Sequence, residues 1–157
     1  MALVDYEFYV NTYGSSVIMA ESFPSCLYKA NNMFDRITYG HIVYDSDSDS
    51  YGQVAKGEFT AFTKQEITAV QYAVCALADE MYKLEKVKLQ AVEGNESVGN
   101  IKSRSSGGES ISYESKPTVY DEAVKDDRKK LELYRETLLE YMPPEIFRIN
   151  PFYAGLR

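Results

Sequence analysis

The sequence predicts a mainly α-helical fold: a small bundle of three to four helices, with a long loop or β-hairpin between the last two long helices and an extended C-terminal tail. Three observations carry this. Apolar residues recur at helical spacing in four segments. Capping signals stand at the starts of three of them. A polar, Ser/Gly-rich stretch, Gly94 to Pro117, separates the two longest. The organisation expected is a helical domain over residues 1–142, with the hairpin loop at about 94–117 inside it, and a docking tail over 143–157. A chain of 157 residues suits one domain and buries enough surface to need neither disulfides nor a metal.

The first helix is short. Tyr6, Tyr9, Val10 and Tyr13 fall on one helical face, Asp5 is placed to cap it, and Gly14 to end it. The second spans about Ser22 to Ile37. Phe23, Leu27, Ala30, Phe34 and Ile37 alternate steps of four and three, Pro24 is tolerated in the first turn, and Thr38-Tyr39-Gly40 breaks the pattern. The third carries the strongest signal. Thr63 and Glu66 form a capping box, each able to satisfy an unpaired N–H of the other. Ile67, Val70, Val74, Leu77, Met81 and Leu84 then mark one face, and Ala73, Ala76 and Ala78 allow close helix approach. The helix is expected to run to Glu93, with Gly94 as its stop.

The fourth helix begins at Thr118, which pairs with Asp121 in a second capping box. Tyr120, Val124, Leu131, Tyr134, Leu138 and Tyr141 mark its face, and Asp127 interrupts it. Asp121–Lys125 and Asp126–Lys130 have the favourable acid-first order, and Pro143-Pro144 ends the helix. Ile146, Phe147, Ile149, Phe152, Tyr153 and Leu156 are too apolar for a merely solvated tail. The tail is expected to dock on this domain or on a neighbour. Ile146, Phe147, Phe152 and Tyr153 are the candidate anchors. Val43 to Phe62 is read as non-helical, with Asp45-Ser46-Asp47-Ser48-Asp49-Ser50 a flexible acidic loop.

Composition narrows the function classes. The net charge of −7 argues against general nucleic-acid affinity, which needs clustered Lys and Arg. It suits a channel wall along which DNA slides without sticking. Fourteen Tyr and seven Phe with no Trp suit surfaces that half-bury against partners, and equally ordinary core and rim positions. Cys26 and Cys75 sit in predicted helices without a CxxC pair and are expected as buried thiols in a reducing compartment. Met1 to Val10 carries Asp5 and Glu7, unlike a signal peptide, and no apolar run approaches the ~20 residues that span a bilayer.

Chemical motifs are sparse. The single histidine, His41, has no nucleophile and acid nearby in sequence and is read as structural or surface. No Walker loop or dinucleotide fingerprint occurs. Asp45-x-Asp47-x-Asp49 starts like an EF-hand loop, but Ser50 stands where glycine is needed and Lys56 where a bidentate glutamate is needed. No catalytic residue, cofactor or metal is expected.

Asn100 to Glu114 reads as a β-hairpin around Gly107-Gly108. Ile101, Lys102, Ser103 and Arg104 lie on one arm, and Ser110, Ile111, Ser112 and Tyr113 on the other. A lone two-stranded ribbon is marginal in water. Disorder, docking on the chain's own helices and pairing with another chain are the choices, and the last makes these eight residues the candidate oligomer interface.

Several stretches resemble the head–tail connector (adaptor) proteins of tailed bacteriophages. They are Tyr6-Glu7-Phe8-Tyr9 with Tyr13-Gly14, Phe23 through Phe34-Asp35-Arg36-Ile37-Thr38-Tyr39-Gly40, Ile67 to Met81, and Ile101-Lys102-Ser103 with Ser110-Ile111-Ser112-Tyr113. Together they cover most of residues 5 to 113. The chain departs from that pattern at His41, where the family often has a basic residue, and in a longer acidic loop after Val43. The resemblance implies a non-enzymatic virion protein, made in the host cytoplasm and built into the head–tail junction. It implies a ring, twelvefold in relatives, under the portal protein and above stopper or tail components. DNA passes through its lumen without sequence-specific binding, and no membrane is involved. The isolated chain is compatible with a monomer. The alternatives are a coiled-coil interaction or regulatory protein, and an enzyme built on a carboxylate pair.

Overall fold

The structure, a computed structural model, describes residues 3–104, 119–147 and 149–152. The chain is mainly α, with a small three-stranded antiparallel sheet. Among the described residues no helix is long and apolar enough to cross a membrane.

The first segment is helical as expected, but Phe8–Tyr13 is wound as a π-helix. Asp5 caps it, its carboxylate accepting from the Phe8 N–H at 2.7 Å. Gly14 ends it at φ 86°, its N–H bonding the Tyr9 carbonyl. Tyr9 is buried, and Tyr6, Val10 and Tyr13 pack partly against the core. Helix α1, Phe23–Ile37, buries Phe23, Ala30 and Phe34. Its end is sealed by the buried Thr38, whose hydroxyl donates to the Phe34 carbonyl at 2.8 Å, and by Tyr39 at φ 57° and Gly40 at φ 68°.

Residues 43–62 are more ordered than the sequence suggested. Strands β1 (Ile42–Asp45), β2 (Ser50–Ala55) and β3 (Glu58–Ala61) form a meander in the order β1-β2-β3. The acidic run is its first turn: Asp45 accepts from the Ser48 N–H at 3.0 Å and its hydroxyl at 2.6 Å. Asp and Ser favour such local bonds, which is why a run that looks merely solvated makes a tight connection. Lys56 (φ 53°) and Gly57 (φ 79°) form the second turn. Positive φ at both central residues is what two-residue hairpins of the right twist require.

Helix α2, Lys64–Arg104, is the longest element, roughly 60 Å at 1.5 Å per residue. The capping box is present: the Glu66 N–H reaches the Thr63 hydroxyl at 3.2 Å, and the Thr63 N–H reaches the Glu66 carboxylate at 2.9 Å. The predicted face is the core face, with Val70, Val74, Leu77 and Leu84 buried alongside Ala73, Ala76 and Ala78. The expected stop at Gly94 does not occur. One glycine costs a helix interior about 1 kcal/mol relative to alanine, too little to end a helix already nucleated upstream.

The last helix is two. Helix α3, Val119–Lys125, and helix α4, Asp127–Tyr141, meet at Asp126. Asp126 is extended at φ −137°, ψ 112° and its side chain accepts from the Arg128 N–H at 2.9 Å. The capping role also redirects the expected Asp126–Lys130 pair: Lys130 instead meets Asp127 at 3.4 Å. Thr118 lies outside the described residues. After Pro143 a short 3₁₀ turn, Pro144–Ile146, leads the chain back to the core. Phe147 stands edge-on to Phe62 with centroids 5.6 Å apart, and Phe152 is buried. Helix α2 is the hub, packing on α1, α3 and α4.

Candidate functional site

Of the residues named from sequence as an oligomer interface, the four on the first expected arm are helical instead. Ile101, Lys102, Ser103 and Arg104 belong to the end of α2, because the helix runs through the glycine read as its stop. Ser110, Ile111, Ser112 and Tyr113 lie outside the described residues. Of the two expected docking places for the tail, the described anchors take this domain. Phe147 and Phe152 are buried in this chain's own core and Ile146 packs against it, so they are not free to dock a partner. Tyr153 lies outside the described residues. Phe147 is held there by its edge-on contact with Phe62.

His41 is 1% exposed, its Nδ1 lying 3.1 Å from the Val54 carbonyl and its ring packed on Tyr39. It is structural, as one of the two sequence readings had it. Cys75 is a buried thiol, pushed up to about 12 by burial and then by Asp79. Cys26 is only half-buried, a departure from the expected pair, and stands at the lip of a groove.

Two concavities lie on opposite faces of α2, and neither was visible from motifs. At about 100° per residue, Ala76, Asp79, Glu80 and Lys83 share one face, and Ala78, Tyr82, Glu85 and Leu89 the other.

The first is a cleft of about 430 Å³ between α2 and α4, walled by Tyr13, Tyr120 and Tyr141 and carrying Asp79, Glu80, Glu136 and Glu140 against Lys83. Its inner edge is a hydrogen-bonded knot. Tyr9 donates to Asp79, Ser15 donates to the other Asp79 oxygen at 2.7 Å, and the Ile18 N–H donates to the Tyr9 hydroxyl at 2.9 Å. Burial, then the Asp79 carboxylate, pushes the Tyr9 phenol up to about 12. Tyr13 is raised further, by burial and then by Tyr141. Tyr120 donates to Glu80 at 2.8 Å, and burial followed by that bond raises it to about 12.

The second is a groove of about 570 Å³ bounded by α1, α2, α3 and α4. Met81, Tyr82, Leu84, Leu89, Val124 and Tyr134 give it an apolar lining. Lys29–Glu85 and Lys130–Asp127, each at 3.4 Å, sit on its rim. Leu89 is 53% exposed. Such surfaces grip a partner through apolar contact and charge. Among the described residues no group of three or more His, Cys, Asp or Glu could hold a metal ion.

No protein-family model, no curated protein and no solved structure matches this chain.

Proposed function

We propose that this chain is a structural protein of the head–tail junction of a tailed bacteriophage. It forms a ring that joins the portal to the stopper or tail components and lets DNA pass through its lumen. One observation supports this best. The first three stretches that resemble the connector family pack against one another around α2. Tyr6 and Tyr9 pack on Phe23 with centroids 5.3 and 4.9 Å away, and Tyr9 is bonded to Asp79, inside the Ile67 to Met81 stretch. Segments scattered over the sequence thus belong to one packed unit, which suits a mechanical adaptor. A ring of such bodies is built from heterologous contacts that close by rotation.

The coiled-coil reading fits less well, because the apolar stripe of α2 from Val70 to Leu84 is buried within the chain. The test is to mix the full chain with its cognate portal protein and image the product by negative-stain electron microscopy. A ring of this chain capping one end of the portal is the expected result. No complex under any salt, pH or stoichiometry would overturn the proposal.

A further inference from the structure

The two concavities differ in charge. In the cleft, Glu80 is engaged by Lys83 at 3.5 Å and Asp79 by hydroxyls. Glu136 and Glu140, one turn apart and exposed on α4, have no ion-pair partner among the described residues. In the groove the surplus is positive. Lys29 and Lys130 are matched by Glu85 and Asp127, which leaves Lys88 in the groove; Lys86, also without an ion-pair partner among the described residues, and Glu21 line an adjoining depression that shares Lys29, Tyr82, Glu85 and Leu89 with it. At about 100° per residue these two lysines flank the strip of α2 that carries Tyr82, Glu85 and Leu89, and Lys86 stands over the Tyr82 ring at 5.0 Å.

We infer that the groove receives a second copy of this chain, head to tail, with Lys86 and Lys88 of one copy against Glu136 and Glu140 of the next and Leu89 covered by the contact. Charge selects this pairing. A two-fold contact through either face alone would set like charges against each other, whereas the head-to-tail contact sets opposites together. Because the faces lie on opposite sides of one helix, each copy can hold two neighbours at once. Closure of the series into a ring rests on the function proposed above; the junction itself rests on the two faces.

The test is sedimentation velocity on the full chain, up to millimolar concentration, at low and high salt. The expected result is concentration-dependent association that weakens as salt screens the contact. The Glu136→Lys/Glu140→Lys and Lys86→Glu/Lys88→Glu variants should each lose at least about tenfold in self-affinity. An equimolar mixture of the two should recover it, since every junction between unlike copies is again matched in sign. Circular dichroism shows whether each variant keeps its fold. A chain that stays monomeric throughout, association indifferent to both reversals, or a mixture that fails to recover would each overturn the junction. Rings on the portal that ignore both reversals would sink this inference and leave the proposed function standing. Self-association through this junction without portal binding would do the reverse.

Discussion

The hydroxyl of Tyr9 donates to the carboxylate of Asp79, 70 residues further along the chain, and both groups are buried. The same hydroxyl accepts from the Ile18 N–H, so one phenol ties the N-terminal segment, the loop before α1 and the central helix together. Tyr9→Phe keeps the ring contacts and removes only the oxygen. It leaves a buried carboxylate short of a donor and a buried N–H without an acceptor. The expected loss is about 2–4 kcal/mol, from one bond to a charged group and one orphaned amide. Urea unfolding should show a lower midpoint at unchanged slope.

Alkaline pH should destabilise the fold in a defined window. Tyr9 and Tyr120 are raised from 10.0 to about 12 by burial and by their carboxylate partners, and Tyr13 and Tyr134 are raised too. Below pH 10 these phenols hold their protons folded or unfolded, and their contribution is fully present. Between about 10 and 12 the unfolded chain releases protons that the folded chain keeps, so stability falls as pH rises. The melting temperature should decline across that window, and Tyr120→Phe should make the decline shallower.

The Thr63–Glu66 box was legible from spacing alone, and its two bonds at 3.2 and 2.9 Å place a value on it. Thr63→Ala should cost about 1 kcal/mol, read as a shift in urea midpoint. Thr63→Ser should recover most of it. A neutral Thr63→Ala would mean that packing of the α2 core face holds the helix start without its cap.

What the sequence revealed, and what it hid, follows from the range of the forces. The faces of α1 and α2, the Asp5 cap and the Pro143 stop are local patterns, and each was readable. The break at Asp126 is half-readable: in sequence the apolar stripe is interrupted one residue further on, at Asp127, because an aspartate within a helical run becomes a cap only if the chain bends there. The sheet was missed because its strands are short and its first turn looks like a solvated acidic run. Gly94 misled because glycine is a weak stop inside a well-nucleated helix. The two concavities left no motif, since each is assembled from residues of different elements that meet only in the fold.

Gly52 tests the sheet. A Cβ placed there would lie 2.4 Å from the Thr60 carbonyl oxygen and 2.5 Å from the Phe59 ring. The ring can turn aside; the carbonyl belongs to the paired strand Glu58–Ala61 and cannot move without disturbing the β2–β3 register. Gly52→Ala should therefore destabilise by about 1–3 kcal/mol, the usual range for overpacking. Gly57→Asn, at a turn with positive φ and open space around it, should stay near neutral because asparagine tolerates that conformation. Comparing the two melting temperatures separates close packing from backbone strain.

The sequence leaves the tail two places to dock, this domain or a neighbour. Phe147 and Phe152 were candidates for gripping a partner, yet they are 6% and 4% exposed and belong to the core. If they complete this domain, Phe147→Ala should cost about 3–5 kcal/mol, the range for a buried phenylalanine cut to alanine. That loss should appear in the isolated chain with no partner present. Its physical origin is the edge-on contact with Phe62 and the void left beneath it. A Phe147→Leu change retains most of the volume and should recover much of the loss. Were the tail a partner anchor, Phe147→Ala would leave the unfolding midpoint of the isolated chain untouched and weaken only assembly. The two outcomes are told apart by one denaturation curve.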